Sequence, residues 1–224
     1  MRYYPINLNL QGKEVVIVGG GPVAARKAAR LIASGARVTV IAPRVDERLA
    51  LLASRGELRH LDRLYVPGDL AGAALAFAAT ERAEVNRAVA EEGRGHGIPV
   101  DRVDQPGQGD FTTPAVLEQG GLLITVSTSG ASPALAQRIV KELEKQFGPE
   151  YAEAVALLGT LREKRLTEKG GSAYNERVFA ELAALDLPAL IRNGQRDAIE
   201  QILLKFSGSG SGPVTDGADK KDPS

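Results

Sequence analysis

At 224 residues with 43% hydrophobic side chains, the chain is long enough for one large domain or two small ones with a proper core. Its 28 basic and 28 acidic residues cancel, which removes the bulk electrostatic case for a nucleic acid or an anionic membrane as partner. The absence of cysteine excludes disulfides, thiolate metal sites and cysteine nucleophiles, and the start Met1-Arg-Tyr-Tyr-Pro5 lacks a secretory apolar core, so the expectation is a cytoplasmic protein.

The first clear element is Glu14-Val-Val-Ile-Val-Gly-Gly-Gly-Pro-Val-Ala24, a β-branched strand that empties into a glycine turn and opens a helix. Gly19 lets the chain turn, Gly21 lets the backbone approach a pyrophosphate, and Ala24 lets the helix pack on the sheet. Pro22 suits the first helical turn, where its missing N–H is no loss. Ala24, Ala28, Leu31 and Ile32 form an apolar helical stripe, Gly35 is the expected stop, and Arg37–Ile41 is a second strand that completes a βαβ unit. Gly19, Gly20, Gly21, Pro22 and Val23 are therefore the candidate phosphate contacts, with free N–H groups and the positive end of the helix dipole facing the anion.

Further along, a short helix is expected over Asp46–Ser54 and a strand of mixed polarity over Glu57–Leu64. Ala74–Ala79 reads as a buried strand, Thr80 as the cap of a helix from Glu81 to about Glu92, and Ile98–Val103 as another strand. The alternation of β and α over the first ~110 residues predicts an α/β fold with a Rossmann-type parallel sheet. Leu122–Ser127 is the next strand, and Ser132-Pro133 caps a helix with Leu135, Ile139 and Leu143 on one face. Beyond Pro149 the period is helical, through Tyr151, Val155 and Leu158, then Val178, Leu182 and Leu185, then Ile199, Leu203 and Leu204, with breaks at Gly170-Gly171 and Asn193-Gly194. From Ser207 onward there is almost nothing to bury, and a disordered tail is expected.

Ligands of open α/β sheets bind beyond the carboxyl ends of the strands, which directs attention to the loops starting at Gly19, Ala42, Thr80 and Asp104. Asp104 is the acid–base candidate at a strand end; turns also take Asp readily, and spacing alone leaves both readings standing. The second strand ends Val40-Ile-Ala-Pro-Arg44 without the usual ribose-binding carboxylate. Arg44 reads either as a 2′-phosphate ligand that favours NADP or as a solvated arginine, while the backbone at Ala42 and Pro43 can hold the adenosine of NAD. His60 and His96 lack metal-ligand spacing, and no metal site is expected. Thr128, Ser129 and Ser132 form a hydroxyl-rich loop suited to capping, and Arg138, Lys141 and Lys145 recur along one helix.

Taken together, the chain resembles the precorrin-2 dehydrogenase family, including the dehydrogenase/ferrochelatase part of siroheme synthase. The resemblance rests on the order of Tyr4-Pro-Ile-Asn-Leu-Asn-Leu10, Val18–Lys27, Ala78-Ala-Thr80 with Val85-Asn86, Val103-Asp-Gln-Pro106 leading to Phe111 and Pro114, and Val126-Ser-Thr-Ser-Gly-Ala-Ser-Pro133. It implies a Rossmann dinucleotide-binding domain over 1–112, a dimerisation segment over 113–146, a helical C-terminal domain over 147–206 and a tail over 207–224, assembled as an intertwined homodimer. The implied reaction is oxidation of precorrin-2 to sirohydrochlorin by NAD, with insertion of ferrous iron to give siroheme in some members; the chain is too short for the methyltransferase domain that some siroheme synthases carry. Pro22, Val23, Pro43 and Arg44 would line the NAD site beside Thr80, and Asp104 matches the family's essential aspartate. Ser127, Thr128, Ser129 and Arg138 are the candidate contacts to the polycarboxylate substrate. The alternative from another class is a non-enzymatic dinucleotide-sensing Rossmann module.

Overall fold

The structure is a computed structural model that describes residues 3–167 and 180–207. The chain divides into two compact units, Met1–Ala115 with Ser127–Ala136, and Val116–Val126 with the described residues from Gln137 onward. Their boundary therefore runs through the segment 113–146.

In the first unit, β1 (Glu14–Val18), β2 (Arg37–Ile41), β3 (Arg59–Leu61), β4 (Leu75–Ala78) and β5 (Val100–Arg102) form one parallel sheet in the order β3-β2-β1-β4-β5. Strand side chains alternate between faces. Val15 and Ile17 join Ala24, Ala28 and Leu31 of α1 (Pro22–Ala33) and Leu49 of α2 (Glu47–Ser54), whereas Val16 and Val18 join Val89 of α3 (Ala83–His96). A central parallel strand is covered on both faces, so β1 gains from the apolar residues Val15–Val18, each worth roughly 1.5–3 kcal/mol when fully buried. The strand order reverses between β1 and β4, and that switch point lies directly under the glycine turn.

Several boundaries differ from the sequence expectation. The edge strand β3 is three residues long instead of eight, and it pairs only with β2. α3 begins at Ala83 with Arg82 as its N-cap, not at Glu81 with Thr80 as cap, and it continues past Gly93 to His96, where Gly97 turns the chain at φ 67°. Gly93 is a packing residue: a Cβ there would lie 2.3 Å from the Val100 side chain, so its absence lets α3 lie against β5. The crossover from β3 to β4, residues 62–74, contains no helix. Glu92 of α3 holds it instead, its carboxylate accepting from the Gly68 and Leu70 N–H groups at 3.0 and 2.8 Å and from the Tyr65 hydroxyl. Burial and the Glu92 carboxylate push the Tyr65 phenol above its ordinary pKa, which favours the neutral donor this contact requires.

The second unit holds most of a hairpin of β6 (Ala115–Gln119) and β7 (Leu122–Val126), followed by the later part of α4 (Pro133–Leu143), α5 (Glu150–Thr167) and helices Leu187–Arg192 and Arg196–Ser207. β6 has no counterpart in the sequence reading. Its mixed-polarity Ala-Val-Leu-Glu-Gln pattern becomes a strand through pairing with β7. Around α5, Leu161, Leu182 and Phe206 form a core with Leu158, Leu185, Ile202 and Leu203, whereas Leu204 points outward, 73% exposed, against expectation. The expected break at Gly170-Gly171, the apolar position Val178 and the tail from 208 lie outside the described residues. No described helix is long and apolar enough to cross a membrane.

Candidate functional site

The four loops picked out by the sequence leave the same edge of the parallel sheet, because every strand in it points the same way. The turn after β1 is pressed between its neighbours. A Cβ on Gly19 would stand 2.3 Å from the Ala79 carbonyl oxygen, and one on Gly20 would stand 2.0 Å from the Arg44 carbonyl oxygen. Gly19 also has φ 126°, which side-chain-bearing residues rarely adopt. Hydrogen bonds stitch the same wall: Gly19 N–H donates to the Ile41 carbonyl at 3.0 Å and Asp46 N–H to the Gly20 carbonyl at 2.7 Å.

Gly21 differs from both. No protein atom lies within 4 Å of where its Cβ would stand, and its backbone is extended at φ −81° and ψ −175°. It occupies the N-cap position of α1 without a side-chain cap, Pro22 follows, and the first turn carries no acidic residue. Val23 and Ala24 N–H have no intrahelical acceptor, while Ala25 N–H returns to the Gly21 carbonyl at 3.1 Å. Open volume, unclaimed N–H donors and a positive helix end suit a pyrophosphate, so the residues present fit a dinucleotide.

At the end of β2, Ala42 is buried, whereas Pro43 and Arg44 are exposed. The backbone of Arg44 walls the glycine turn. The nearest carboxylate, Asp46, is already committed, because it accepts from Arg48 N–H at 3.0 Å to cap α2 and pairs with the Arg48 guanidinium at 2.9 and 3.1 Å. His60 Nε2 lies 2.8 Å from the Ala42 carbonyl and ties β3 to β2, and among the described residues no group of three or more His, Asp or Glu converges as a metal site.

Past β4, Thr80 belongs to a polar network around Asn86, which is fully buried on α3. Asn86 Oδ1 accepts from Thr80 N–H at 3.1 Å and from the Thr80 hydroxyl at 2.8 Å, and its amide donates to the Thr80 carbonyl at 2.9 Å. Asn86 is also among the groups that lower the Asp104 pKa, so its buried amide lies near the loops after both β4 and β5. Sequence reasoning left Asn86 unassigned. Its signal was a polar residue three positions before Val89, on the apolar face of its helix.

Asp104 lies two residues beyond the end of β5 and keeps 22% of its side chain exposed, while its partner Arg102 keeps 4%. Arg102 Nη2 donates to Oδ2 at 2.7 Å and Nε to Oδ1 at 3.3 Å, and Nη1 reaches the Gln108 carbonyl oxygen Oε1 at 2.7 Å. Burial works to raise the Asp104 pKa, yet hydrogen bonding and charge from Arg102, with help from Asn86, outweigh it and hold the carboxyl below the usual carboxylate range. The group is thus an accessible carboxylate that is charged at neutral pH, and a weak base. Asp110 is structural: its carboxylate accepts from Val100 N–H at 2.9 Å and its own N–H donates to the Val100 carbonyl at 2.8 Å, which covers the free edge of β5.

The hydroxyl loop is occupied by its own backbone. Ser127 Oγ accepts from Ser129 N–H at 3.2 Å, Thr128 Oγ1 from Ser132 N–H at 3.0 Å, and Ser132 Oγ from Leu135 N–H at 3.2 Å, with Ser129 at φ 53°. This is the capping role expected for Ser132. Arg138 is exposed on α4 and makes no ion pair with a described residue.

A family model described as "Putative NAD(P)-binding" matches residues 6–115, and one described as "Sirohaem biosynthesis protein central" matches residues 119–146. A siroheme synthase of Methylococcus capsulatus is 38% identical over 207 residues, covering 92% of this chain and 43% of that protein. Siroheme synthase 3 of Aeromonas hydrophila is 33% identical over 228 residues, covering 100% of this chain and 49% of that protein. The chain thus spans less than half the length of these curated relatives. A solved precorrin-2 dehydrogenase structure superposes with a TM-score of 0.71 at 27% identity, covering 89% of this chain and 98% of that one.

Gly20 and Gly21 make separable predictions. Gly21→Ala meets no protein atom, so its melting temperature should match the wild type while dinucleotide affinity, read by calorimetry, falls at least about tenfold, the equivalent of one misplaced phosphate contact. Gly20→Ala should instead lower the melting temperature, because the new methyl collides with backbone that cannot swing away. Equal melting temperatures and equal affinities for all three proteins would show that the turn has no steric role in binding.

Proposed function

This chain belongs to the siroheme synthase and precorrin-2 dehydrogenase family, and from that premise we propose that it oxidises precorrin-2 to sirohydrochlorin with NAD. The observation that carries the reading is an ionised, accessible carboxylate, Asp104, on the same sheet edge as a glycine turn whose open side accepts a pyrophosphate. Bound NAD supplies a two-electron sink that takes a hydride from the macrocycle. The chain's own residues would do the rest. Gly19 and Gly20 shape the turn, Gly21, Val23 and Ala24 offer N–H donors to the phosphates, and Ala42, Pro43 and Arg44 stand at the adenosine end. Thr80 is a backbone neighbour, its hydroxyl committed to Asn86.

Asp104 has a double use in this reading. As hydride leaves, positive charge grows on the macrocycle, and a fixed carboxylate in a partly water-excluded site stabilises it. A carboxylate held below its usual pKa is a poor acceptor of an ordinary proton, but the proton of an oxidised, cationic macrocycle is acidic enough for it. Ferrous iron enters the proposal as a second substrate only, since its insertion releases pyrrolic protons for which the same carboxylate is the acceptor. Ser127, Thr128, Ser129 and Arg138 remain the proposed contacts to the substrate carboxylates, with Arg138 the one whose guanidinium is uncommitted among the described residues. A cytoplasmic setting belongs to the same proposal, as the reaction draws on the NAD pool. The dinucleotide-sensing alternative has no use for an accessible carboxylate held by a buried arginine, and the relatives described above carry enzyme names.

The test is anaerobic NADH formation with precorrin-2. Asp104→Asn keeps the side-chain shape but removes the charge, so turnover should fall by roughly 10²–10⁴-fold with NAD affinity retained. Unchanged turnover would reduce Asp104 to a turn residue, lost NAD binding would move it to the cofactor site, and siroheme formation measured alongside reports whether iron insertion draws on the same group.

A homodimer is part of the proposal, supported by Leu123 and Leu135 of the segment 113–146, which stay 47% and 40% exposed in the single chain. Light scattering should give twice the chain mass of 23.7 kDa. An active monomer at micromolar concentration would contradict it.

A further inference from the structure

We propose that Arg102 is the positioning residue of this site: its guanidinium, clamped between Gln108 and Asp104, fixes where the Asp104 carboxylate stands and keeps it charged. The inference rests on the reading of Asp104 as the group that serves the oxidation, and it goes further by naming what controls that group.

An arginine inside the fold is costly. Arg102 is the last residue of β5, paired with Ala78 of β4, and keeps only 4% of its side chain exposed. A buried guanidinium is tolerated when its donors are satisfied and its charge is matched. Both conditions are met within six residues of chain. Two donors go to the two Asp104 oxygens and a third to Gln108 Oε1, and no buried side-chain polar atom among the described residues lacks a partner. The chain bends at Val103 and Asp104 as it leaves β5, and the arginine fork meets the carboxylate side-on through Nε and Nη2.

The loop is held in place from its far end as well. A Cβ on Gly109 would lie 2.9 Å from Arg102 N and 3.0 Å from the Val100 carbonyl oxygen, so residues 104–109 lie tight against β5 with Arg102 as their hub. Among the described residues the charged group facing the Asp104 carboxylate is Arg102; Asn86, from α3, is its neutral neighbour, and Gln108 faces the arginine. A guanidinium stays charged at every working pH, so the carboxylate it faces has a constant partner. A lysine here would supply charge without the fork that sets orientation.

The sign of the effect follows. With its pKa lowered in the folded protein, Asp104 is ionised throughout the neutral and mildly acidic range and is lost as a charge only when the pH falls through that lowered value. Removing an opposite charge at hydrogen-bonding distance raises a carboxyl pKa by about 1–3 units. The acid limb of turnover should therefore move upward when Arg102 is replaced.

The experiment measures the pH dependence of kcat for NADH formation, together with NAD affinity, in the wild type and in Arg102→Met, Arg102→Lys, Gln108→Leu and Asp104→Asn. The wild-type acid limb should lie below the ordinary carboxylate range, and Arg102→Met should move it upward by roughly 1–3 pH units with NAD affinity unchanged. Arg102→Lys should restore most of the limb's position but less of kcat at neutral pH, since it returns charge without the fork. Should Arg102→Met fail to fold, Gln108→Leu, at a surface position, loosens the same guanidinium and should give a smaller upward move. An unmoved acid limb in every folded Arg102 and Gln108 variant, with Asp104→Asn strongly impaired, overturns the role of Arg102. Full activity of Asp104→Asn would instead overturn the reading of Asp104 on which it rests.

Discussion

The structure depends first on the contact of bare backbone against bare backbone at the mouth of the sheet. Gly19 and Gly20 lie so close to the carbonyls of Ala79 and Arg44 that a methyl group at either would stand 2.3 or 2.0 Å from oxygen. That closeness draws the ends of β1, β2 and β4 together and leaves the first turn of α1 facing outward with donors unclaimed. A glycine turn is often credited to flexibility. Here two of the three glycines are needed because of what the protein already puts beside them, and only Gly21 is bare toward open space.

A second constraint organises the opposite half of the edge. Two sets of hydrogen bonds sit at neighbouring strand ends, Asn86 of α3 with Thr80 after β4, and Arg102 with Asp104 and Gln108 after β5. Every member has a partner, which is the condition under which a buried polar network adds definition rather than cost. Nearby, Lys27 of α1 pairs with buried Asp101 at 2.7 Å and also reaches Thr113 at 2.9 Å, so the chain leaving this loop is tied back to the helix that begins at the glycine turn. Phe111 meets the Phe77 ring edge-on at 5.3 Å, and Lys27 Nζ stands 4.7 Å from the same ring.

Local elements were the most legible in the sequence. The β1 strand, the glycine turn and α1 follow from β-branched residues, Pro22 and the apolar stripe, and Gly35, at φ 76°, ends the helix as its position suggested. The Ser132 cap was equally readable, because side-chain caps act over two or three residues, whereas Asp46, read as the first helical residue, is the N-cap. What escaped depends on partners distant in sequence. β6 is a strand only because β7 pairs with it, and the helix-free crossover of residues 62–74 is held by a glutamate more than twenty residues away. Thr80 is not the N-cap, because α3 starts three residues later at Ala83; its oxygen accepts from Arg82 N–H at 3.1 Å in the preceding turn while its hydroxyl donates to Asn86 at 2.8 Å. The Arg102–Asp104 pair was within reach of sequence reasoning. An arginine in a strand expected to be buried requires a nearby anion, and Asp104, two residues on, is the carboxylate nearest to it in sequence after Asp101.

The central claim is that the open side of the glycine turn holds the pyrophosphate of a dinucleotide. Its most direct measurement is a titration of isotope-labelled protein with NAD, following backbone amide resonances. The largest changes should fall on Gly21, Val23 and Ala24, with smaller ones at Ala42–Arg44 and none at Gly68 or Leu70, whose N–H groups are bound by Glu92. Saturable binding that leaves Gly21, Val23 and Ala24 unmoved while perturbing another part of the chain would contradict the account.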